Sequence, residues 1–178
     1  ILEGVTVDDL DDDFDTLSGY RSLRRGVEPV RAGYATPSEE LAALIDWLKD
    51  APSGETTSVS TAVLVRTNQQ LSEVENALRA AGLETFVLRN NRLDDREKPG
   101  VRIATMHRAK GLEFDRVALA LLSKETIPPR QALSHAVDDA GRREVIEREK
   151  SLIHVAGTRA RTELRVSWYG DRPDLVLG

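Results

Sequence analysis

Val101-Arg-Ile-Ala104 is a short apolar, β-branched run that empties at Thr105 into a polar stretch, Met-His-Arg-Ala-Lys-Gly-Leu-Glu, before apolar character resumes at Phe114. An apolar run of this length, unbroken on both faces, is the kind of strand found in parallel sheets that are covered on both sides. Its polar continuation sets His107, Lys110, Gly111 and Glu113 beyond the strand's carboxyl end, where open α/β sheets bind their ligands. The feature narrows the chain to an α/β fold with functional groups gathered at the end of a strand.

The rest of the sequence alternates in the same sense. Thr36-Pro37-Ser38-Glu39 has the pattern of a capping box and opens a helix to about Lys49, with Leu41, Leu44, Ile45 and Leu48 at the spacing of one core-facing side. Ala62 to Arg66 predicts a strand, and Gln69 to Ala81 a helix with Leu71, Val74, Leu78 and Ala81 on one face and Gly82 as its left-handed end. Strands are expected over 28–31, 84–88, 101–106, 117–122 and 164–169, a helix over 139–160, and loops over 51–61 and 89–100. That order predicts a three-layer α/β/α domain with a mainly parallel sheet.

Composition bounds the rest. A length of 178 residues suffices for one domain with a sizeable core, and 40% hydrophobic with 31% charged residues argues against wholesale disorder. No apolar run approaches the roughly 20 residues of a membrane span, so no membrane partner is expected. Absence of cysteine removes disulfides and thiolate zinc sites, and a cytoplasmic setting is the expectation. A net charge of −5 argues against a uniformly basic nucleic-acid binder and leaves room for a local basic groove. Residues 1–25 read as an acidic leader, with six aspartates from Asp8 to Asp15 and no basic residue before Thr16, expected to be solvated and partly disordered. That leader lacks the glycine and terminal glutamate of a calcium loop, and no metal site is expected. Ile1 stands where an initiator methionine would, so the chain is expected to be a piece of a longer polypeptide.

Two runs carry a family resemblance. Thr105-Met-His107-Arg-Ala-Lys110-Gly111-Leu-Glu113-Phe114 and Glu149-Lys-Ser-Leu-Ile-His154-Val-Ala-Gly-Thr158-Arg159-Ala160 resemble motifs V and VI of the UvrD/Rep/PcrA-like superfamily 1 DNA helicases. Those patterns are roughly Thr-x-His-x-x-Lys-Gly-Leu-Glu-Phe, matched here in full, and Glu-x-x-Leu-x-Tyr-Val-Ala-x-Thr-Arg-Ala. Ala62-Val-Leu-Val-Arg66-Thr-Asn-Gln-Gln is similar to motif IV. The resemblance implies that residues 26–178 are the second, C-terminal RecA-like domain of such a helicase, with ATP lying between it and an N-terminal RecA-like domain of the same polypeptide. The first domain would hold the phosphates and Mg2+, and the second would send arginines to the γ-phosphate. Charge building on a transferring phosphoryl group calls for a planar, permanently cationic fork, and such an arginine contributes about 10³ to 10⁵ in rate. Arg159 matches the motif VI finger and Arg66 the motif IV γ-phosphate contact. By the same resemblance Glu113 bonds the nucleotide ribose, and Gly111 allows a close backbone approach. Thr105 and His107 touch single-stranded DNA, and Lys110 contacts either DNA or the first domain.

The sequence departs from the family in places. His154 replaces the motif VI tyrosine, Lys150-Ser151 stands where two arginines are common, and only Leu88 to Gly100 occupies the place of the large helical insertion between motifs IV and V. No Gly-x-x-x-x-Gly-Lys-Ser/Thr run is present, so this chain alone lacks the loop that cradles a triphosphate. The expectation is the C-terminal motor domain of an ATP-dependent DNA helicase, inactive by itself, with single-stranded DNA and the first domain as partners. Rival expectations are a subunit of a recombination helicase–nuclease and an ATP-driven module that binds transcription or repair machinery.

Overall fold

The computed structural model describes residues 6–8, 14–16, 28–50, 59–88 and 98–176. Strands β1 (Thr6–Asp8) and β2 (Phe14–Thr16) pair antiparallel, apart from the main sheet, with Thr6 opposite Thr16. They fall within the acidic leader, and the expectation for the remainder of residues 1–25 lies outside the described residues, as do most of the loops expected over 51–61 and 89–100.

The main sheet is built from β3 (Val30–Tyr34), β4 (Thr61–Val65), β5 (Thr85–Val87), β6 (Val101–Thr105), β7 (Phe114–Leu122) and β8 (Ala160–Tyr169). Its order is β3-β8-β7-β4-β6-β5, and every pairing is parallel. All carboxyl ends therefore lie along one edge and all amino ends along the other. The helices are α1 (Pro37–Lys49), α2 (Asn68–Ala80), α3 (Arg130–Ser134) and α4 (Asp139–Gly157).

Alternation along the strands feeds two cores, because successive side chains point to opposite faces. Val63, Val65, Ile103, Ala118 and Ala120 meet Leu44 and Leu48 of α1 and Leu71, Val74 and Leu78 of α2. Ala62, Leu64, Ala104, Val117 and Leu119 meet Ala156 of α4 and the connection between β6 and β7. Leu64 and Ile103 are wholly buried, and each such side chain stabilises the fold by roughly 1.5–3 kcal/mol. The three-layer α/β/α architecture follows from these two faces.

Helix ends follow local chemistry. The Thr36 hydroxyl accepts the Glu39 N–H at 3.2 Å, but the Glu39 carboxylate accepts from Ala35 N–H at 3.1 Å, one residue earlier than a capping box requires. The complete capping box is at α2, between Thr67 and Gln70. That helix closes as expected at Gly82, with φ +78°, while Gly82 N–H bonds Arg79 C=O and Leu83 N–H bonds Leu78 C=O.

Three boundaries around β7 and β8 differ from expectation. α4 stops at Gly157, β8 begins at Ala160 and β7 already at Phe114, because Phe114 pairs with Ala160 and Phe114 N–H donates to Arg159 C=O at 2.9 Å. Sheet pairing overrides the helical spacing, which by itself predicts a helix to Ala160. Near its other end β7 carries a bulge between Leu119 and Leu122. Leu121 adopts φ +57°, and it joins the same core as Ala118 and Ala120 instead of alternating.

Candidate functional site

The β6–β7 connection is an apolar spine with polar groups turned outward. Met106 and Ala109 are buried at 1% and 0% exposure, whereas His107 and Lys110 face solvent and Arg108 is half-buried. Arg108 N–H and Ala109 N–H both bond Thr105 C=O, and Met106 N–H bonds Val65 C=O at 2.9 Å. The connection leaves the sheet's carboxyl edge at Thr105 and re-enters at the amino edge at Phe114, so one run of ten residues serves both edges.

At the carboxyl edge, parallel pairing of Val65 with Thr105 brings the residues after β4 beside those after β6. Arg66, Thr67, Asn68, Thr105, His107, Arg108 and Lys110 line a cavity of about 500 Å³, and none of these described residues is acidic. The α2 amino terminus opens onto the same edge and has no acidic residue in its first turn, which adds to its attraction for an anion. Arg66, Thr105, His107 and Lys110 are thus brought together as neighbours.

The Arg66 guanidinium is anchored from the side. Its Nε and Nη2 donate to the two oxygens of Glu149 at 2.8 Å each, a bidentate pair with side-chain exposures of 16% and 9%. Its positive charge is therefore matched within the chain. This pair joins β4 to the middle of α4 and was not legible from spacing. Glu149 begins the motif VI run, but nothing local names its partner.

The amino edge gathers Gly111, Glu113, Arg159 and Arg161. Gly111 has φ +83°, and a Cβ built there would meet no atom within 4 Å, so backbone conformation demands the glycine and space stays open beside it. Glu113 accepts from Arg161 Nε and Nη2 at 3.0 and 2.7 Å in an exposed pair. That pair raises the Arg161 pKa through the Glu113 hydrogen bonds and charge. Asp115 beside it is held below its ordinary pKa by the Ser60 N–H at 2.9 Å and the Ser60 hydroxyl at 2.8 Å.

Arg159 differs from its neighbours. Nε donates to Val155 C=O at 3.0 Å, Nη1 to Leu112 C=O at 3.4 Å and Nη2 to the Thr158 hydroxyl at 3.2 Å, all neutral oxygens. It is positioned by the end of α4 and by the motif V backbone, and none of these bonds matches its charge. Arg66 and Arg159 do not meet. Glu149, which holds Arg66, precedes Arg159 by ten residues of α4 and its terminal turn, on the order of 15 Å along a helix axis.

Parallel strands in one sheet with helices on both faces define a RecA-like α/β domain. Comparison with known proteins agrees. Residues 88–171 match the UvrD-like helicase C-terminal domain. The ATP-dependent DNA helicase UvrD2 of Mycobacterium tuberculosis and that of Mycobacterium bovis are each 40% identical over 95 residues, 52% of this chain and 13% of theirs. Among solved structures, the C-terminal domain of a possible DNA helicase from Lactobacillus plantarum WCFS1 has a TM-score of 0.58 at 21% identity, over 85% of this chain and 80% of that one. The C-terminal domain of the DEAD-box protein Dbp5 has 0.53 at 14%, over 83% and 78%. Just under half of the chain, residues 88–171, is thus similar to the UvrD-like helicase C-terminal domain family. The chain spans only about an eighth of the curated relatives' length.

Proposed function

We propose that the chain is half of an ATP-driven motor acting on single-stranded DNA, with the two tasks divided between the edges of its sheet. The observation that carries the reading is the contrast between its two arginines. Arg66 is matched by Glu149, whereas Arg159 bonds only neutral oxygens and keeps its full charge for an outside anion. A donor fork acts on a transition state through uncompensated charge, so Arg159 suits a γ-phosphate better than Arg66 does. Gly111, with open space beside it, and Glu113, paired with Arg161, lie on the same edge, where the ribose of that nucleotide would sit. Bound ATP with Mg2+ would supply the reacting phosphoryl group, held by the first RecA-like domain of the same polypeptide. This chain's part is to stabilise charge at Arg159 and to orient the nucleotide.

Thr105, His107 and Lys110 serve the carboxyl edge. A hydroxyl, an imidazole and an ammonium around a cavity with no acid among its described lining residues bond phosphate oxygens without reading base sequence. Arg66 joins them there, presenting the N–H groups that Glu149 does not take up. Because motif V runs from one edge to the other, a shift of Gly111 to Glu113 on the nucleotide side moves the DNA side with it. A test follows from the division of the ATP site. The chain alone is expected to hydrolyse ATP no faster than buffer while binding oligothymidylate, and DNA-stimulated turnover by the purified chain would overturn the split site.

A further inference from the structure

Below the carboxyl-edge cavity lies a line of buried polar groups that the motor chemistry does not use. Gln70 is 6% exposed, and its Oε1 accepts both Arg66 N–H and Thr67 N–H at 3.1 Å while its Nε2 donates to Leu121 C=O at 2.6 Å. Leu121 N–H in turn donates to Glu40 Oε1 at 2.7 Å, and the Ser167 hydroxyl donates to the same oxygen at 2.6 Å. Glu40 is fully buried on the α1 row it shares with Leu44 and Leu48, and its Oε2 has no hydrogen-bond partner. Leu121 is the one non-glycine residue among those described with a positive φ.

Each link costs stability taken alone. A leucine at position 40 would extend the apolar row, a carboxyl with an unpaired buried oxygen is expensive, and a left-handed leucine is strained. Together they have one outcome. The bulge turns the Leu121 peptide so that its N–H meets Glu40 and its C=O meets the Gln70 amide nitrogen. With its nitrogen so occupied, the amide can present only its oxygen to Arg66 and Thr67. Were the Leu121 carbonyl elsewhere, the amide could turn over and set N–H against N–H at the cavity lip.

We propose that Gln70 and Glu40 are positioning residues for the carboxyl-edge cavity, holding the Arg66–Thr67 backbone at its lip through a hydrogen-bonded line from β8 to α2. Glu149 fixes the Arg66 side chain, and this line fixes the peptide that carries it. The functional meaning rests on the nucleic-acid reading of that cavity, while the positioning itself is measurable without a ligand.

The test uses the whole chain, 15N-labelled, and its variants. In Gln70→Ala and Glu40→Leu the Arg66 Nε–Hε and Thr67 amide resonances are expected to move. Oligothymidylate affinity should fall about fivefold, with the slope of log K against log salt shallower by about 0.7, one single-strand phosphate contact. Glu40→Gln keeps an acceptor for Leu121 N–H and should retain wild-type resonances and slope. If Gln70→Ala and Glu40→Leu lower the melting temperature yet leave the Arg66 and Thr67 resonances and the salt slope at wild-type values, the line is merely structural and the proposal is overturned. Should Glu40→Leu not fold, Gln70→Ala decides alone. If the resonances move as expected but Arg66→Ala binds oligothymidylate like the wild type, positioning stands and the nucleic-acid reading of the cavity fails.

Discussion

The two edges of the sheet share a connection and differ in how they treat charge. At the carboxyl edge the cavity wall presents Arg66, His107, Arg108 and Lys110 and, among the described residues that line it, no carboxylate, while Glu149 of α4 holds Arg66 from the side. At the amino edge Glu113 faces Arg161, and Arg116 is held by Glu163 at 2.6 Å and stacks on the Trp47 ring at 4.0 Å. Arg159 is the exception on that edge. A surface suited to a polyanion gathers cations across an area, whereas one suited to completing a partner's site matches its charges and holds back a single donor. The contrast is what the proposed division rests on, a nucleic-acid strand at the first edge and one phosphoryl group at the second.

The largest effect that could break this assignment is on turnover. In the complete helicase, Arg159→Ala is expected to lower ATP turnover by roughly 10³-fold, about 4 kcal/mol of transition-state stabilisation, with nucleotide affinity nearly intact. Arg66→Ala should cost far less turnover and more DNA affinity. Single-turnover ATPase and nucleotide titrations on both variants decide it, and a ranking with Arg66 first would exchange the roles of the edges.

Next in size is the hidden carboxylate of the carboxyl edge. Glu149→Ala leaves the Arg66 guanidinium buried without its partner, an expected loss of about 3 kcal/mol in urea unfolding. The double variant Arg66→Met, Glu149→Leu should recover most of it, because an apolar pair of similar volume has no charge to desolvate. Failure of the double variant to recover would mean that the pair also fixes the place of α4.

How much of this was legible in the sequence depends on the range of the interactions. Thr105, His107, Lys110, Gly111 and Glu113 are consecutive enough for a pattern to mark them, and the strand before them is local too. The Leu44 and Leu48 face of α1 was equally plain. Glu40 was not, although it shares their four-residue spacing, since a glutamate on an apolar row is the residue type least expected inside. Its partners, Leu121 and Ser167, stand far away in sequence, so no window contains the compensation. Leu121 itself carries no sign of a left-handed backbone, because leucine is not a residue that seeks one. Gln70 had a signal in Thr67-x-x-Gln70, the capping-box spacing, but that signal explains only its bonds with Thr67 and not those with Arg66 N–H and Leu121 C=O. The end of α4 was misjudged because Thr158 and Arg159 fit a helix locally, and only the pairing of Ala160 with Phe114 ends it.

His107→Ala probes the carboxyl edge more gently. Loss of one backbone contact should weaken single-strand DNA binding by about 1 kcal/mol, uniformly across sequences, and spare basal ATP turnover. Isotherms on two unrelated oligonucleotides check both points. A change confined to one sequence would give His107 a base contact instead, and unchanged affinity with a lower melting temperature would make it a structural hydrogen bonder.

Smallest in expected size is a pH effect that opposes one carboxyl from each region, small because burial and hydrogen bonding act in opposite directions on each and partly cancel. Asp115, at the amino edge, is held below its ordinary pKa by the Ser60 N–H and hydroxyl. The folded state therefore releases the Asp115 proton more readily than the unfolded chain, so its contribution is fully present above the unfolded value of about 3.9 and fades as pH falls through the lower folded value. Glu40, beneath the carboxyl edge, is pushed the other way by burial, against the hydrogen bonds from Ser167 and Leu121. The folded state holds its proton more tightly, so stability is fully present below the unfolded value of about 4.3 and is lost as pH rises through the raised folded value. Unfolding free energies of Asp115→Asn and Glu40→Gln, each referred to wild type between pH 3 and pH 7, should drift in opposite senses. The Asp115→Asn deficit should shrink on acidification below about pH 3.9, and the Glu40→Gln advantage should grow on raising the pH above about 4.3. Drifts of the same sign would show that Glu40 is not a desolvated carboxyl held against its ordinary ionisation, and that the two regions do not differ in the way their buried and surface charges imply.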